Sequence, residues 1–276
     1  MVNAHGTPRK LEVGAYNSRM SALLPLTGVV ITFNEADRIG RCLASLVSVC
    51  AEVVVVDSGS SDGTQELAVA AGARVMHNPW PGFAKQKNLA IAQATQPWVL
   101  LLDADEWLDA EALADLRALL ASAEPAEADV FTLQRRTHFL GTAMNHGSFA
   151  REPVERLFRA HCRHEDLPVH ERLDTRGQRV RRSSVRMEHD TARNADEYWE
   201  KLQRYAELWA AERATMGKRA GVGRANAAFL AYLLKNLVLR LGVLDGPKAW
   251  RFHWLHARYA ALKYRRLRAL STPRNG

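Results

Sequence analysis

Four times between residues 27 and 106 the chain passes through a short apolar, β-branched run that ends in polar residues, and a segment with helical spacing follows each time. "TGVVITF" leads into "EADRIGRCLASLVSVC", where Ile39, Leu43, Leu46 and Val47 recur at helical spacing. "EVVVVDSGSSDGT" leads into "TQELAVAAG", which stops at Gly72; "ARVMHN" leads into "GFAKQKNLAIAQA"; and "PWVLLLDADE" leads into "AEALADLRALLAS". Continuous apolar strands separated by helices predict an α/β fold with a mostly parallel sheet, helices on both faces and right-handed crossovers. In such sheets ligands bind beyond the carboxyl ends of the strands. Thr32 to Glu35, Asp57 to Asp62 and Asp103 to Glu106 all fall there, so three polar clusters are expected to face one cleft.

The fourth strand poses the sharpest question, because "VLLLDADEW" ends a buried run in carboxylates. "GSSDGTQ" lacks the Lys-Ser or Lys-Thr of a Walker loop, and "GVGRAN" lacks a third glycine and follows no strand, so neither an ATPase nor a dinucleotide enzyme is supported. What remains is an acid-lined nucleotide site. Asp57 would accept hydrogen bonds from a base or ribose, while Asp103 and Asp105 hold a divalent cation, Mg2+ or Mn2+, against a diphosphate. The competing reading makes residues 103 to 109 a solvated turn leading into a helix; for Asp109, placed as a helix N-cap, that reading is preferred.

The net charge of +8 and a pI near 9.7 suit an anionic partner: a nucleotide, a nucleic acid or a phospholipid surface. The basic residues show no RNA-recognition or helix-turn-helix pattern, and an acidic cleft repels phosphate unless a metal intervenes, so nucleic acid is not expected. Cys42, Cys50 and Cys162 have no metal-type spacing and leave an odd thiol, which points to a reducing compartment. Residues 1–26 lack a continuous apolar stretch and a small-residue cleavage site and read as a loose leader.

"VVITFNEADRIGRCLASL", "EVVVVDSGSSDGT", "GFAKQKNLAIAQA" and "WVLLLDADEWL", in this order, resemble the nucleotide-sugar-binding half of glycosyltransferase family 2, with its GT-A fold and Asp-x-Asp motif. "RRTHFLGTAMNHG", "ERLFR", "VHERL" and "LGVLDG" resemble a narrower subgroup, the lipopolysaccharide core β-1,4-glucosyltransferase-like proteins. The resemblance implies an inverting, metal-dependent transfer from a UDP-sugar, UDP-glucose in the subgroup, to a saccharide or lipid-linked acceptor. It places Thr32, Phe33 and Glu35 in the nucleotide loop, with Phe33 near the uracil, and puts Asp57 at the base or ribose. Lys87 stands where many members have Arg before Asn and would pair with the diphosphate, without bidentate geometry. Asp103 would touch ribose or metal, Asp105 would be the direct metal ligand, and His189 in "VRMEHDTARN" would add a further one. Plain alternatives stand beside these: a core side chain for Phe33, a solvated helix residue for Lys87, a structural role for His189.

Between residues 129 and 188, "DVFTLQRRTHFL", "EPVERLFRA" and "QRVRRSSVRMEH" are strand-like pieces expected to finish the sheet and wall the acceptor site. An inverting transfer needs a base within reach of the attacking hydroxyl. Glu165, Asp166 and Glu171 are the candidates; Glu171 is chosen because "VHE" is the subgroup-like motif and a strand holds a carboxylate more firmly than a loop. Its competing reading is a salt bridge with Arg172 or Arg182. Arg135, Arg136, Arg156, Arg159, Arg181 and Arg182 crowd this half, some of them suited to phosphates on an acceptor.

After residue 194 three helices follow, in "ADEYWEKLQRYAELWAAERATMG", "ANAAFLAYLLKNLVLRLGVLDG" and "PKAWRFHWLHARYAALKYRRLRAL". Lys235 and Arg240 interrupt the middle one too soon for a span of about 20 apolar residues. The last mixes Trp250, Phe252, Trp254 and Tyr259 with arginines and lysines, as a segment on anionic lipid would, although the same aromatics also suit a packed cap. The organisation expected is a leader over 1–26, a GT-A domain over 27–190 and a helical, membrane-associating region over 191–276. Because nucleotide sugars are cytosolic, the expected place is peripheral, on the inner face of the cytoplasmic membrane. Two rival classes are open: a silent sugar-nucleotide-binding module, which would lack a base, and a basic nucleic-acid-binding protein.

Overall fold

The computed structural model describes residues 23–166 and 172–271. In chain order the elements are β1 (Leu24–Thr32), α1 (Ile39–Val47), β2 (Cys50–Asp57), α2 (Thr64–Ala70), β3 (Arg74–His77), α3 (Phe83–Ile91), β4 (Trp98–Asp103), β5 (Glu106–Trp107) and α4 (Ala110–Ala121). There follow β6 (Val130–Phe139), β7 (Thr142–Ala143), β8 (Glu152–Arg159), β9 (His164–Glu165), β10 (Arg172–Leu173), β11 (Val180–Asp190), α5 (Ala195–Thr215), α6 (Arg224–Leu233) and α7 (Pro247–Ser271). The main sheet runs β3-β2-β1-β4-β8-β6-β11-β5, with β7 paired to β6.

The first four strands are parallel, and their continuous apolar sequence has a simple cause: both faces are covered. Leu26 and Val30, Val53 and Val55, and Leu100 and Leu102 pack against Ile39, Leu43 and Leu46 of α1 and Leu116 of α4. The alternate residues Val29, Ile31, Val54, Val56, Val99 and Leu101 face the other way, onto Ala90 and Ile91 of α3. A Cβ on Gly28 would lie 3.1 Å from Leu46 Cδ2 and 3.2 Å from Cys50 Sγ, so this glycine lets α1 approach β1 closely. Cys42, Cys50 and Cys162 are free and buried.

β1 begins at Leu24, so the last three residues of the expected leader are strand; Leu26 is fully buried and pairs with Trp98. The three strand-like pieces of the second half are β6, β8 and β11. β8 lies antiparallel between β4 and β6, while β6 and β11 are parallel. Asp109 caps α4, accepting from Ala112 N at 2.9 Å, as preferred from its sequence position.

A third core joins the helices to the sheet. Phe139 of β6 packs against Tyr198 of α5 (5.5 Å between ring centroids) and Phe252 of α7 (5.3 Å), with Met144, Leu202 and Leu255 around them. The expected middle helix is broken into three pieces: α6, a π-helical turn over Leu234–Leu239 and a 3-10 turn over Gly242–Asp245. Among the described residues no helix is long and apolar enough to cross a membrane.

Candidate active site

The carboxyl ends of β1 and β2 are tied together by backbone donors meeting side-chain oxygens. Asn34 N donates to Ser60 Oγ (2.8 Å), Ser61 N to Asn34 Oδ1 (3.0 Å), Glu35 N to Thr64 Oγ1 (2.9 Å) and Ala36 N to Asp62 Oδ2 (3.0 Å). Asn34 adopts φ 54°, a left-handed conformation that asparagine tolerates better than most residues. The tie leaves Phe33 55% exposed at the rim, which removes the core alternative for that ring. Thr32 is buried below it, its Oγ1 without a hydrogen-bond partner among the described residues.

Asp57, expected at a base or ribose, is fully buried and turned into its own loop. Its carboxylate accepts from Gly59 N and Ser60 N at 2.8 Å each, from Ser60 Oγ, and from Gln65 Nε2 at 2.8 Å. Any nucleotide contact by this carboxylate competes with those bonds. Glu35 is likewise engaged, bonded to Arg38 Nε and Nη2 at 2.9 and 3.0 Å and to Arg193 Nη2 at 2.8 Å. Burial, the largest influence on it, raises the Glu35 carboxyl above its usual range despite these arginines.

β4 ends at Asp103, and within three residues the chain has crossed to the far edge of the sheet, where β5 pairs with β11. Asp105 sits in that crossing, and Asp190 N donates to its carbonyl at 2.9 Å, which brings the neighbouring His189 alongside. His189 Nε2 lies 3.6 Å from Asp105 Oδ2, and Arg38 Nη1 is 3.7 Å from the same oxygen. Burial alone would raise the Asp105 carboxyl, but His189, and to a lesser degree Arg38, pull it below its usual range. His189 Nδ1 is buried without a hydrogen-bond partner among the described residues.

Asp103 is held from two sides: Lys87 Nζ is 3.2 Å from Oδ1 and Arg156 Nη2 is 2.5 Å from Oδ2. Burial opposes its ionisation, yet the charges of Arg156 and Lys87 hold this carboxyl far below the usual range. Lys87 is only 3% exposed, so the solvated-helix alternative fails. Beneath lies Glu106, fully buried, accepting from Arg156 Nη2 (2.7 Å), Asp103 N (3.0 Å) and Arg135 Nη1 (3.5 Å).

Asn34 and Glu106 fell within the polar clusters read from the sequence but were given no role, and Arg38 and Arg193 were not singled out. Arg193 lies in the "VRMEHDTARN" stretch quoted for His189, but nothing in that stretch assigned it a role; it closes over the β1 loop by bonding Asn34 O (3.0 Å) and Asp37 Oδ1 (2.9 Å). The crowd of arginines expected near an acceptor is mostly committed to protein partners. Besides Arg135 and Arg156, Arg136 pairs with Glu188 (2.9 Å), Arg159 donates to Pro125 O (2.6 Å) and Arg181 pairs with Glu127 (2.5 Å).

Glu171 lies outside the described residues. The flanks of that segment are anchored next to Lys87: Asn88 Nδ2 donates to His164 O (2.9 Å) and His164 N to Asn88 Oδ1 (2.7 Å), while Lys85 Nζ is 3.4 Å from Asp166. Of the other two base candidates, Glu165 is paired with Arg172 (3.1 Å) and Arg176 (3.0 Å), whereas Asp166 is largely exposed.

A family model described as glycosyl transferase family 2 matches residues 27–192, which span β1 to the end of β11 and every cleft residue named above except Arg193. The chain belongs to glycosyltransferase family 2. Its sheet and flanking helices are the GT-A fold of that family, extended by C-terminal helices. Among curated relatives, the chain is 35% identical over 203 residues to the lipopolysaccharide core biosynthesis glycosyltransferase LpsC of Rhizobium meliloti (strain 1021), covering 71% of this chain and 74% of that protein. Among solved structures, S. aureus TarS 1-349 aligns with a TM-score of 0.44 at 18% identity, over 66% of this chain and 64% of that one. Glucosyl-3-phosphoglycerate synthase from Mycobacterium tuberculosis, crystallised with Mn2+, UDP and glucosyl-3-phosphoglycerate, aligns with a TM-score of 0.34 at 23% identity, over 42% and 44% of the two chains.

Proposed function

We propose that this family 2 glycosyltransferase is inverting and metal-dependent, and that it moves a sugar from a UDP-sugar, with UDP-glucose the expected donor, to a saccharide or lipid-linked acceptor of lipopolysaccharide core assembly. The observation that carries the reading is the approach of Asp105 and His189 to 3.6 Å at the mouth of an otherwise charge-balanced cleft. Asp105 and His189 would hold a divalent cation there, a carboxylate oxygen and an imidazole nitrogen being donors that Mn2+ accepts. The other ring nitrogen of His189, Nδ1, is buried without a hydrogen-bond partner among the described residues.

The donor set is incomplete on its own: among the described residues no three acidic, histidine or cysteine side chains are grouped to hold a metal. That suits a hard cation completed by diphosphate oxygens and water, and an imidazole ligand favours Mn2+ over Mg2+. When bound, the cation would neutralise charge that develops on the departing UDP. Asp103, expected as a ribose or metal contact, already satisfies Lys87 and Arg156; here it fixes those two cations at the cleft, where they would meet the diphosphate. Phe33 offers its exposed face to the uracil with Thr32 buried beneath it, and Asp57 with Glu35 hold the two loops that frame them. Glu171 is assigned as the base, on the sequence argument given above.

The likeness to LpsC supports the core-assembly setting. A peripheral position on the inner face of the cytoplasmic membrane completes the reading, since a lipid-linked acceptor is delivered there. A screen of UDP-glucose, UDP-galactose and UDP-GlcNAc by UDP release, with Mn2+ and with EDTA, tests it. Turnover of UDP-glucose that EDTA abolishes is expected; binding without turnover would make the chain a silent module, and no binding would overturn the reading.

A further inference from the structure

Charge is divided unevenly along this chain. From residue 213 to 276 there are fourteen of its 38 lysines and arginines but one of its 30 acids, Asp245, so this stretch carries +13 and the preceding 212 residues carry −5. Asp245 is not at the surface: its side chain is 1% exposed and accepts from His146 N at 2.9 Å and His146 Nδ1 at 2.6 Å.

The same stretch exposes its apolar residues on one side. Leu230, Leu234, Val238 and Leu241 follow at intervals of four, four and three, one face of a helix, and each is more than half exposed. Leu239 and Leu244 extend the surface, and Trp250 and Trp254, one turn apart on α7, stand half-exposed beside it. Between them lies a groove of roughly 500 Å³ lined by Leu233, Leu237, Val243, Trp250, Arg251 and Trp254. The opposite side of α6 is already used, through Phe229 edge-on to Trp254 (5.1 Å) and Tyr232 stacked with His256 (5.8 Å).

We propose that this face, the outer side of α6 and the π-helical turn with Trp250 and Trp254, inserts into the headgroup and acyl boundary of an anionic phospholipid bilayer. The proposal rests on the peripheral reading above and replaces its basic helix with a specific surface, because Phe252 and Leu255 of α7 are spent in the core. An anionic bilayer matches both halves of the chemistry: acyl chains for the leucines, and phosphates for Lys235, Arg240 and Arg251 around them. Tryptophan at the edge suits the interface level. A nucleic acid or an acidic peptide would answer the charge but leave the leucines in water, and a second copy of this chain would set two +13 surfaces against each other.

The face is fastened to the catalytic half. Ser148 N and Oγ donate to Asn236 Oδ1 (3.0 and 2.6 Å), Gly147 N to Arg240 O (3.0 Å), and Lys248 Nζ to Leu140 O (2.8 Å). Leu140 and Gly141 in turn border a polar groove with Arg38, Arg41, Asp190 and Arg193. Insertion would therefore set the height and tilt of the cleft over the membrane.

The test is sedimentation of the full chain with phosphatidylcholine vesicles, with and without phosphatidylglycerol. Binding only to the mixed vesicles is expected, weakened by about tenfold or more in Leu234→Gln/Val238→Gln and again in the independent pair Leu230→Gln/Leu239→Gln. A blue shift of tryptophan emission on binding should shrink in Trp250→Phe/Trp254→Phe. Hydrolysis of UDP-glucose in vesicle-free solution should be unchanged in all three variants, which separates this surface from the cleft: loss of hydrolysis in the unaltered chain overturns the transferase reading and leaves vesicle binding to be judged by itself. Unchanged vesicle binding in both leucine pairs, no binding by the full chain, or a dimer in sedimentation velocity that those pairs abolish would overturn the proposal.

Discussion

The floor of the cleft and the C-terminal helices treat charge in opposite ways. At the cleft, Asp103, Asp105 and Glu106 are surrounded by Lys87, Arg156, Arg135, Arg38 and His189, so nearly every buried carboxylate already faces a cation. In the C-terminal stretch Lys235, Arg240 and Arg251 lie beside exposed leucines, and the single acid is turned inward. Internal compensation keeps a site rigid until a ligand rearranges it; uncompensated charge beside apolar surface calls for an outside partner. On the readings proposed above, the first region selects a small polyanion and the second rests on an extended one.

The largest effect should come from the cleft. Asp105→Asn removes the carboxylate charge beside His189 and is expected to lower Mn2+-dependent UDP-sugar turnover by about a thousandfold, a typical cost for losing an electrostatic contact made in the transition state. Activity kept at the unaltered level would show that the crossing between β4 and β5 is not the reaction centre. Next is Glu171→Gln, which should slow transfer by about a hundredfold while UDP-sugar affinity, measured by calorimetry, stays the same. If Asp166→Asn has that effect and Glu171→Gln does not, the base is Asp166.

Glu106→Gln addresses compensation itself. It leaves Arg156 and Arg135 with one buried counter-charge fewer, and breaking such a pair costs about 3 kcal/mol. Thermal unfolding should begin several degrees lower, while the same substitution at exposed Glu111, paired with Arg186, should be nearly silent. Equal effects at the two positions would mean that burial at the cleft floor contributes nothing.

The smallest effect per residue concerns pH and the buried histidines. Burial, the largest influence, pushes His256 down to about 3 and His253 down to about 4, and burial together with Lys87 and Arg156 pushes His164 down to about 3. A histidine depressed in the folded state takes up its proton only on unfolding. Stability is thus complete above the ordinary value near 6.5 and falls as pH drops from there toward the folded value. At pH 5.5 the loss is about 1.4 kcal/mol for each. Denaturant midpoints at pH 7.5 and 5.5 should differ accordingly, and the difference should shrink in His256→Phe; a midpoint that rises on acidification would contradict the assignment.

How much of this was legible in the sequence follows the same division. The parallel strands and the polar clusters at their ends could be read, because each buried strand is apolar until it reaches the cleft. Lys87 was left between two readings, since a lysine in a short helix is usually solvated; only the packing of α3 on the sheet brings it to Asp103. Glu106 and Arg156 are fifty positions apart and meet because β8 inserts beside β4, an antiparallel strand order that strand patterning does not specify. In the helical region the aromatic and basic mixture was visible, but which aromatics turn inward was not. Phe252 is buried and Trp254 exposed although they are two residues apart, because the core supplied by Phe139 and Tyr198 reaches only one side of α7. A chain truncated at Asp245 would lose that core, so substitution is the sounder test of the membrane face.

The central claim is that Asp105 and His189 together hold the cation that the UDP-sugar completes. Mn2+ binding followed by electron paramagnetic resonance, with and without UDP, tests it in the unaltered chain, Asp105→Asn and His189→Gln. Tight binding that requires UDP and is lost in both variants is the result expected; affinity unchanged in both, or binding by the unaltered chain that ignores UDP, would contradict it.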